Sequence, residues 1–121
     1  MKPDPSALEE RATRLRSFLE RHAEDETAWF GLGRALAELE RPAEAASAFR
    51  RAVGLRPDYT AAWRDLGRAL LAAGDAAGGA EALRQGLAAA ERTGDLQAGR
   101  EIEVFLRRAA RGAGSGEAGS A

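Results

Sequence analysis

WFGLGRAL at positions 29–36 and WRDLGRAL at positions 63–70 are one phrase written twice, with six of the eight letters identical. A helical hairpin with its turns takes roughly 34 residues, and the step from Trp29 to Trp63 is such an interval, so a chain that repeats at this period is constrained to stack helical hairpins. Trp29, Leu32 and Leu36 lie at i, i+3 and i+7 on one helical face, as do Trp63, Leu66 and Leu70. Gly33 and Gly67 stand beside those stripes, where a missing side chain lets the two helices of a hairpin cross closely, with Ala45 as the small opposing surface. One hairpin cannot bury its stripe alone, so successive units must cover each other.

Breakers set the expected boundaries. Residues 1–5 read as a flexible lead, and Ser6 with Glu9 three residues on forms a capping box that starts a helix over 6–22. Its apolar stripe is Leu8, Ala12, Leu15, Phe18, Leu19 and His22. A second helix is expected over about 27–39. Pro42 suits the first turn of a third, which carries Ala45, Ala48, Phe49, Ala52 and Val53 inward and stops near Leu55, ahead of Pro57. A fourth over about 60–73 ends at Gly74, a fifth covers about 76–92, and Asp95 caps a sixth that reaches about 111. The segments form one domain over 6–111, with repeats at 26–59 and 60–93, a capping helix at 95–111, and a Gly/Ala/Ser tail at 112–121 expected to be disordered.

The outer helices fit the period differently. Leu15 stands one full period before Phe49, and Leu19 one period before Val53, so the first helix reads as the second half of a unit that lacks its first half. Keeping the sixth helix in register would put Gln97, Arg100, Glu101 and Val104 at the places of Trp, Leu, Gly and Leu. Its apolar stripe is Leu96, Ile102, Phe105, Leu106 and Ala109, which describes a rotated capping helix.

Taken together, Trp29, Leu32, Gly33, Leu36, Ala45, Phe49, Ala52 and Pro57 resemble the tetratricopeptide repeat pattern at all eight signature places, with Leu36 where Tyr is usual. The next unit keeps Trp63, Leu66, Gly67, Leu70 and Leu83 and departs at Gly79 and Gly86, where Ala is usual, and at Glu91, where Pro is usual. The resemblance covers about 26–93 and implies an all-α, right-handed solenoid of about six antiparallel helices. In this family the first helices of successive units line a concave, peptide-binding groove. Carried onto this chain, that surface comprises Thr27, Phe30, Arg34 and Ala37 on one helix and Ala61, Arg64, Arg68 and Leu71 on the next. The expected groove is basic with apolar spots, and an exposed Phe30 ring would anchor an acidic peptide. The plainer alternative pairs Arg34 and Arg68 with Glu38 or Asp65. The Lys and Asn with which some members clamp chaperone tails are absent, so that specificity does not carry over.

Composition narrows the function. With 18 basic and 19 acidic residues the formal charge is −1, which supplies no field for nucleic acid or an anionic membrane. There is no cysteine, hence no disulfide, thiolate nucleophile or cysteine-ligated zinc. No stretch approaches the roughly 20 apolar residues of a membrane span, and the opening MKPDPSALEERATRL lacks a leader's apolar core, so the cytoplasm is the expected compartment. His22 is the lone histidine and reads as a helix-end group, not a metal ligand or base. GSGEAG at 114–119 matches a dinucleotide fingerprint only formally, since no strand precedes it. The acidic runs read as solvated helix faces, and Arg107, Arg108 and Arg111 as complements to a helix C-terminus. No catalytic, cofactor or metal site emerges. The expected protein is an adaptor for a protein or peptide partner; the alternative is self-association through the open end that bears Phe18 and Leu19.

Overall fold

The computed structural model describes the backbone of residues 3–120 and the side chains of residues 3–112. Among them lie six helices and no strand: α1 (Pro5–Arg21), α2 (Glu26–Glu38), α3 (Pro42–Leu55), α4 (Thr60–Ala72), α5 (Ala76–Thr93) and α6 (Leu96–Ser120). Aspartates start four of them. Asp25, Asp75 and Asp95 accept from the backbone N–H groups of Ala28, Gly78 and Ala98 at 2.9, 2.8 and 3.1 Å. At α1 the cap is Asp4 and not Ser6: its carboxylate accepts from the Ser6 N–H at 3.0 Å while Pro5 fills the first turn, so Ser6 already lies inside the helix. The expected lead thus loses Pro5 to α1, and Met1 and Lys2 lie outside the described residues.

Left-handed residues turn the chain between helices. Gly74 and Gly94 have φ of 91° and 74°, and Glu40, which holds the place of Gly74 in the preceding repeat, adopts φ 59° despite its side chain. A left-handed backbone costs a residue with a Cβ roughly 1–2 kcal/mol, so the α2–α3 turn is held by its surroundings. The helical backbone of α6 runs to Ser120, past the boundary near 111 suggested by the glycine-rich composition. No proline follows Leu96 to interrupt it. The side chains of the GSGEAG stretch lie outside the described residues, as does Ala121.

Each helix packs on the next, and the backbones of α2, α4 and α6 also approach in succession, whereas those of α1, α3 and α5 do not, α1 reaching α3 through the Arg16–Glu44 ion pair at 3.8 Å. The α2–α4–α6 layer is therefore the concave side. Between the layers lie the fully buried Leu36, Phe49, Leu83 and Ile102, with Leu32, Ala52, Leu66 and Leu70.

The glycines account for the closeness of the layers. A Cβ on Gly33 would sit 2.5 Å from the Phe49 ring, so Phe49, more than Ala45, is what the missing side chain admits. One repeat later the same relation joins Gly67 to Leu83, again at 2.5 Å, but here a Cβ would also come within 3.1 Å of the Gly79 carbonyl oxygen. A Cβ on Gly79 would in turn meet the Gly67 carbonyl at 3.0 Å and Leu71 at 2.8 Å. Gly86 sits where three helices meet, and a Cβ there would come 2.9 Å from the Trp63 Cβ and 3.0 Å from Ile102 on α6. The two glycine departures from the repeat pattern are thus positions where even alanine would collide.

Trp29 and Trp63 are half-buried, not enclosed at the centre of the core as their place in the stripe suggests. Each indole N–H donates to a turn carbonyl six residues earlier, Trp29 to Ala23 at 2.8 Å and Trp63 to Pro57 at 2.7 Å. Reaching those carbonyls keeps the rings at the seam between a helix and the turn before it.

Both ends are closed by residue choice. Arg11 and Phe18 hold the places that the fully buried Ala45 and Ala52 take one repeat later, so α1 offers bulk where a preceding helix would need small side chains. Phe18 is 42% exposed and stacks on His22, the residue after α1, with ring centroids 4.4 Å apart. On α6, Ile102, Ala98 and Gly99 face inward and Phe105, Leu106 and Ala109 are half-buried, while Gln97, Arg100 and Val104 face out. Leu96 is 72% exposed and leaves the expected stripe, because it opens the helix directly after the turn at Gly94.

Gly86→Ala and Gly79→Ala should each lower unfolding free energy by about 1–3 kcal/mol, the cost of overpacking, although alanine is the better helix former. Gly54→Ala is the control: a Cβ there meets nothing within 4 Å, and a gain of about 0.5–1 kcal/mol is expected. Trp63→Phe should cost about 1 kcal/mol for the lost indole hydrogen bond. Urea unfolding followed by circular dichroism measures all four.

Candidate partner-binding groove

On the concave side the stripes of α2 and α4 that face away from α3 and α5 approach one another. Between them runs a groove of about 570 Å³. Arg34, Ala37 and Glu38 form one wall and Arg64, Asp65, Arg68, Ala69 and Ala72 the other, with Glu40 and Pro42 at the α2–α3 turn and Phe49 beneath. Of the eight residues that sequence assigns to this surface, Arg34, Ala37, Arg64 and Arg68 meet in the groove. Thr27 lies at the opposite end of α2, beside the acidic turn 21–26. Ala61 is in the first turn of α4, and Leu71 leans on Gly79 of α5, so neither lines the groove.

Phe30 is not the exposed anchor that its place on the helix suggests. It is half-buried, with its ring centroid 5.7 Å from that of Phe49 and 4.9 Å from that of Tyr59. Arg56 lies 4.7 Å over the Tyr59 ring, which continues the stack to the surface. An aromatic chain thus joins α2, α3 and the start of α4, and Phe30 serves the seam between repeats.

Nor is the groove basic. Glu38, Glu40 and Asp65 match its three arginines in number. Arg64 is bound to Asp65 at 3.1 Å and to Glu101 of α6 at 2.7 Å, with its side chain 22% exposed. Burial works against its charge, but the two carboxylates more than offset this and raise its pKa. Arg34 and Arg68 behave differently. The Arg34 guanidinium carbon lies 5.7 Å from the Phe30 ring centre and that of Arg68 lies 4.9 Å from the Phe105 ring of α6. Neither forms an ion pair with Glu38 or Asp65, or with any other carboxylate among the described residues.

The groove continues past the end of α2. A second concavity of about 580 Å³ shares Ala37, Glu38 and Glu40 with it and is otherwise lined by Pro3, Asp4, Pro5, Leu8 and Leu39. A helical wheel of α2 alone misses this extension, and it misses Glu40, which the turn brings round. The available signals were Glu38, four residues after Arg34, and Asp65, which replaces Gly31 in the second repeat. Among the described residues no three His, Cys, Asp or Glu side chains gather as a metal site, and no helix is long and apolar enough to cross a membrane.

A family model described as "Tetratricopeptide repeat" matches residues 12–60 and 40–95. A TPR repeat-containing protein of Pseudomonas aeruginosa is 40% identical over 79 residues, which cover 65% of this chain and 75% of that protein. A Bordetella parapertussis protein with a known solution structure is also 40% identical, with a TM-score of 0.71 over 83% of this chain and 87% of its own. The TPR2B domain of yeast Sti1, solved in complex with pHsp70, shares the fold with a TM-score of 0.81 at 21% identity, over 88% of this chain and 85% of that one.

If Phe30 serves the seam, Phe30→Ala should cost about 2–4 kcal/mol of stability, near the range for truncating a large aromatic. A thermal melt that does not move would return Phe30 to the free surface.

Proposed function

We propose that this chain, which belongs to the tetratricopeptide repeat family, is an interaction module that holds an extended segment of a partner protein in the groove between α2 and α4. One observation carries the reading: the concave face offers exposed hydrocarbon at Ala37 and Ala72 and two arginines whose charge no carboxylate takes up among the described residues. A preformed furrow with few, placed polar groups is the usual form of a peptide site. The yeast Sti1 domain, seen in complex with pHsp70, supports the same use of the fold. Such a surface suits binding, since its carboxylates stand among arginines and no serine, threonine, cysteine or histidine is among the described residues that line it.

The exposed Phe18 favours a second reading, self-association through α1. Its ring is already stacked on His22 and flanked on the same helix by Arg11 and Arg14, so the patch is small. A mass that stays monomeric as concentration rises removes this reading.

Filling the groove tests the first. Ala37→Trp puts an indole into the furrow from an exposed position, where stability should change by no more than about 0.5 kcal/mol. Partner capture from the native lysate should be lost, while Arg84→Glu on α5, remote from the groove, leaves capture intact. Equal capture by both variants would place the partner elsewhere.

A further inference from the structure

If the groove holds the partner, as proposed above, we infer that the partner segment carries two carboxylates about three residues apart, with an apolar side chain beyond the one that meets Arg34. Arg34 and Arg68 stand one repeat apart in sequence, at the same place on neighbouring inner helices. Axes of packed helices lie about 8–10 Å apart, and an extended chain advances about 3.3 Å per residue. A segment that crosses from α2 to α4 therefore spends about three residues between the two arginines.

Each guanidinium has one face over an aromatic ring, Phe30 or Phe105, and its edge donors meet no carboxylate among the described residues. A planar fork held this way is oriented before binding and accepts a carboxylate through two parallel N–H donors. Arg64, in the same furrow, is excluded as a third site because Asp65 and Glu101 already occupy it. The apolar position follows from the adjoining concavity, where Leu8 and Leu39 offer hydrocarbon on the far side of α2. Glu38 stands on the rim common to both, so a carboxylate directly beside the apolar residue would be repelled.

Selection from a random dodecapeptide library displayed on phage tests the spacing on the full chain. Wild type should enrich two acids about three places apart with an apolar residue to one side of the pair; Arg34→Glu with Arg68→Glu should enrich lysine or arginine at those two places and keep the apolar one. As a milder variant, Arg34→Gln with Arg68→Gln should bind a synthetic peptide of the enriched sequence about five-fold more weakly, the scale of two exposed charge pairs. Enriched peptides that lose binding with Ala37→Trp but lack spaced acids, or are the same on wild type and reversed protein, overturn the spacing and leave the groove reading standing. Peptides indifferent to Ala37→Trp, or no enrichment at all, overturn the groove reading and the spacing with it.

Discussion

Close approach of helix backbones at the glycine crossings is the constraint on which the rest depends. With Gly33 under Phe49 and Gly67 under Leu83, each hairpin settles at a separation that its large residues then fill. Gly86 extends the same device to α6, since only a bare backbone lets Trp63, Ile102 and α5 share one point. Inner helices whose backbones approach and outer helices whose backbones stand apart give the concave face its shape, so the furrow is a by-product of how the core closes.

The chemistry of that face is set by which arginines the fold consumes. Arg64 is spent on the α4–α6 joint, where Glu101 reaches back across the layer. Arg34 and Arg68 are steadied by rings, which restrict the side chain without neutralising it. Phe105 therefore has two duties: it helps seat the capping helix, and it orients a cation toward the groove.

Much of the fold was legible because the period is a physical quantity. The interval between Trp29 and Trp63 specifies a hairpin, Pro42 and Leu55 bound α3 as expected, and Gly94 with Asp95 mark the α5–α6 turn. Less legible were features that depend on three-dimensional neighbours. Phe30 looks exposed on a wheel of α2 and is half-buried because Tyr59, from the turn before α4, comes over it. Gly79 and Gly86 look like simple departures from the repeat pattern and are instead close contacts of α5 with α4 and α6, since only the partner atoms reveal why alanine is missing. The groove's charge was misjudged for a related reason: Glu38 and Asp65 share the groove with the arginines of their own helices, and Glu40 enters it through the α2–α3 turn, which a wheel of one helix does not display.

The bulky α1 flank and the outward polar stripe of α6 bear on assembly as well as on solubility. Solenoid units stack head to tail, and a stack whose two ends were complementary would add copy upon copy into an open fibre. Arg11 and Phe18 occupy the places where a fibre would need alanines, and Gln97 and Arg100 occupy those where it would need an aromatic and a leucine. Growth by the fold's own packing rule therefore ends within one chain. Any pairing through Phe18 would have to be closed, with the same patch on both copies, and the described residues offer a partner the three inner helices α2, α4 and α6.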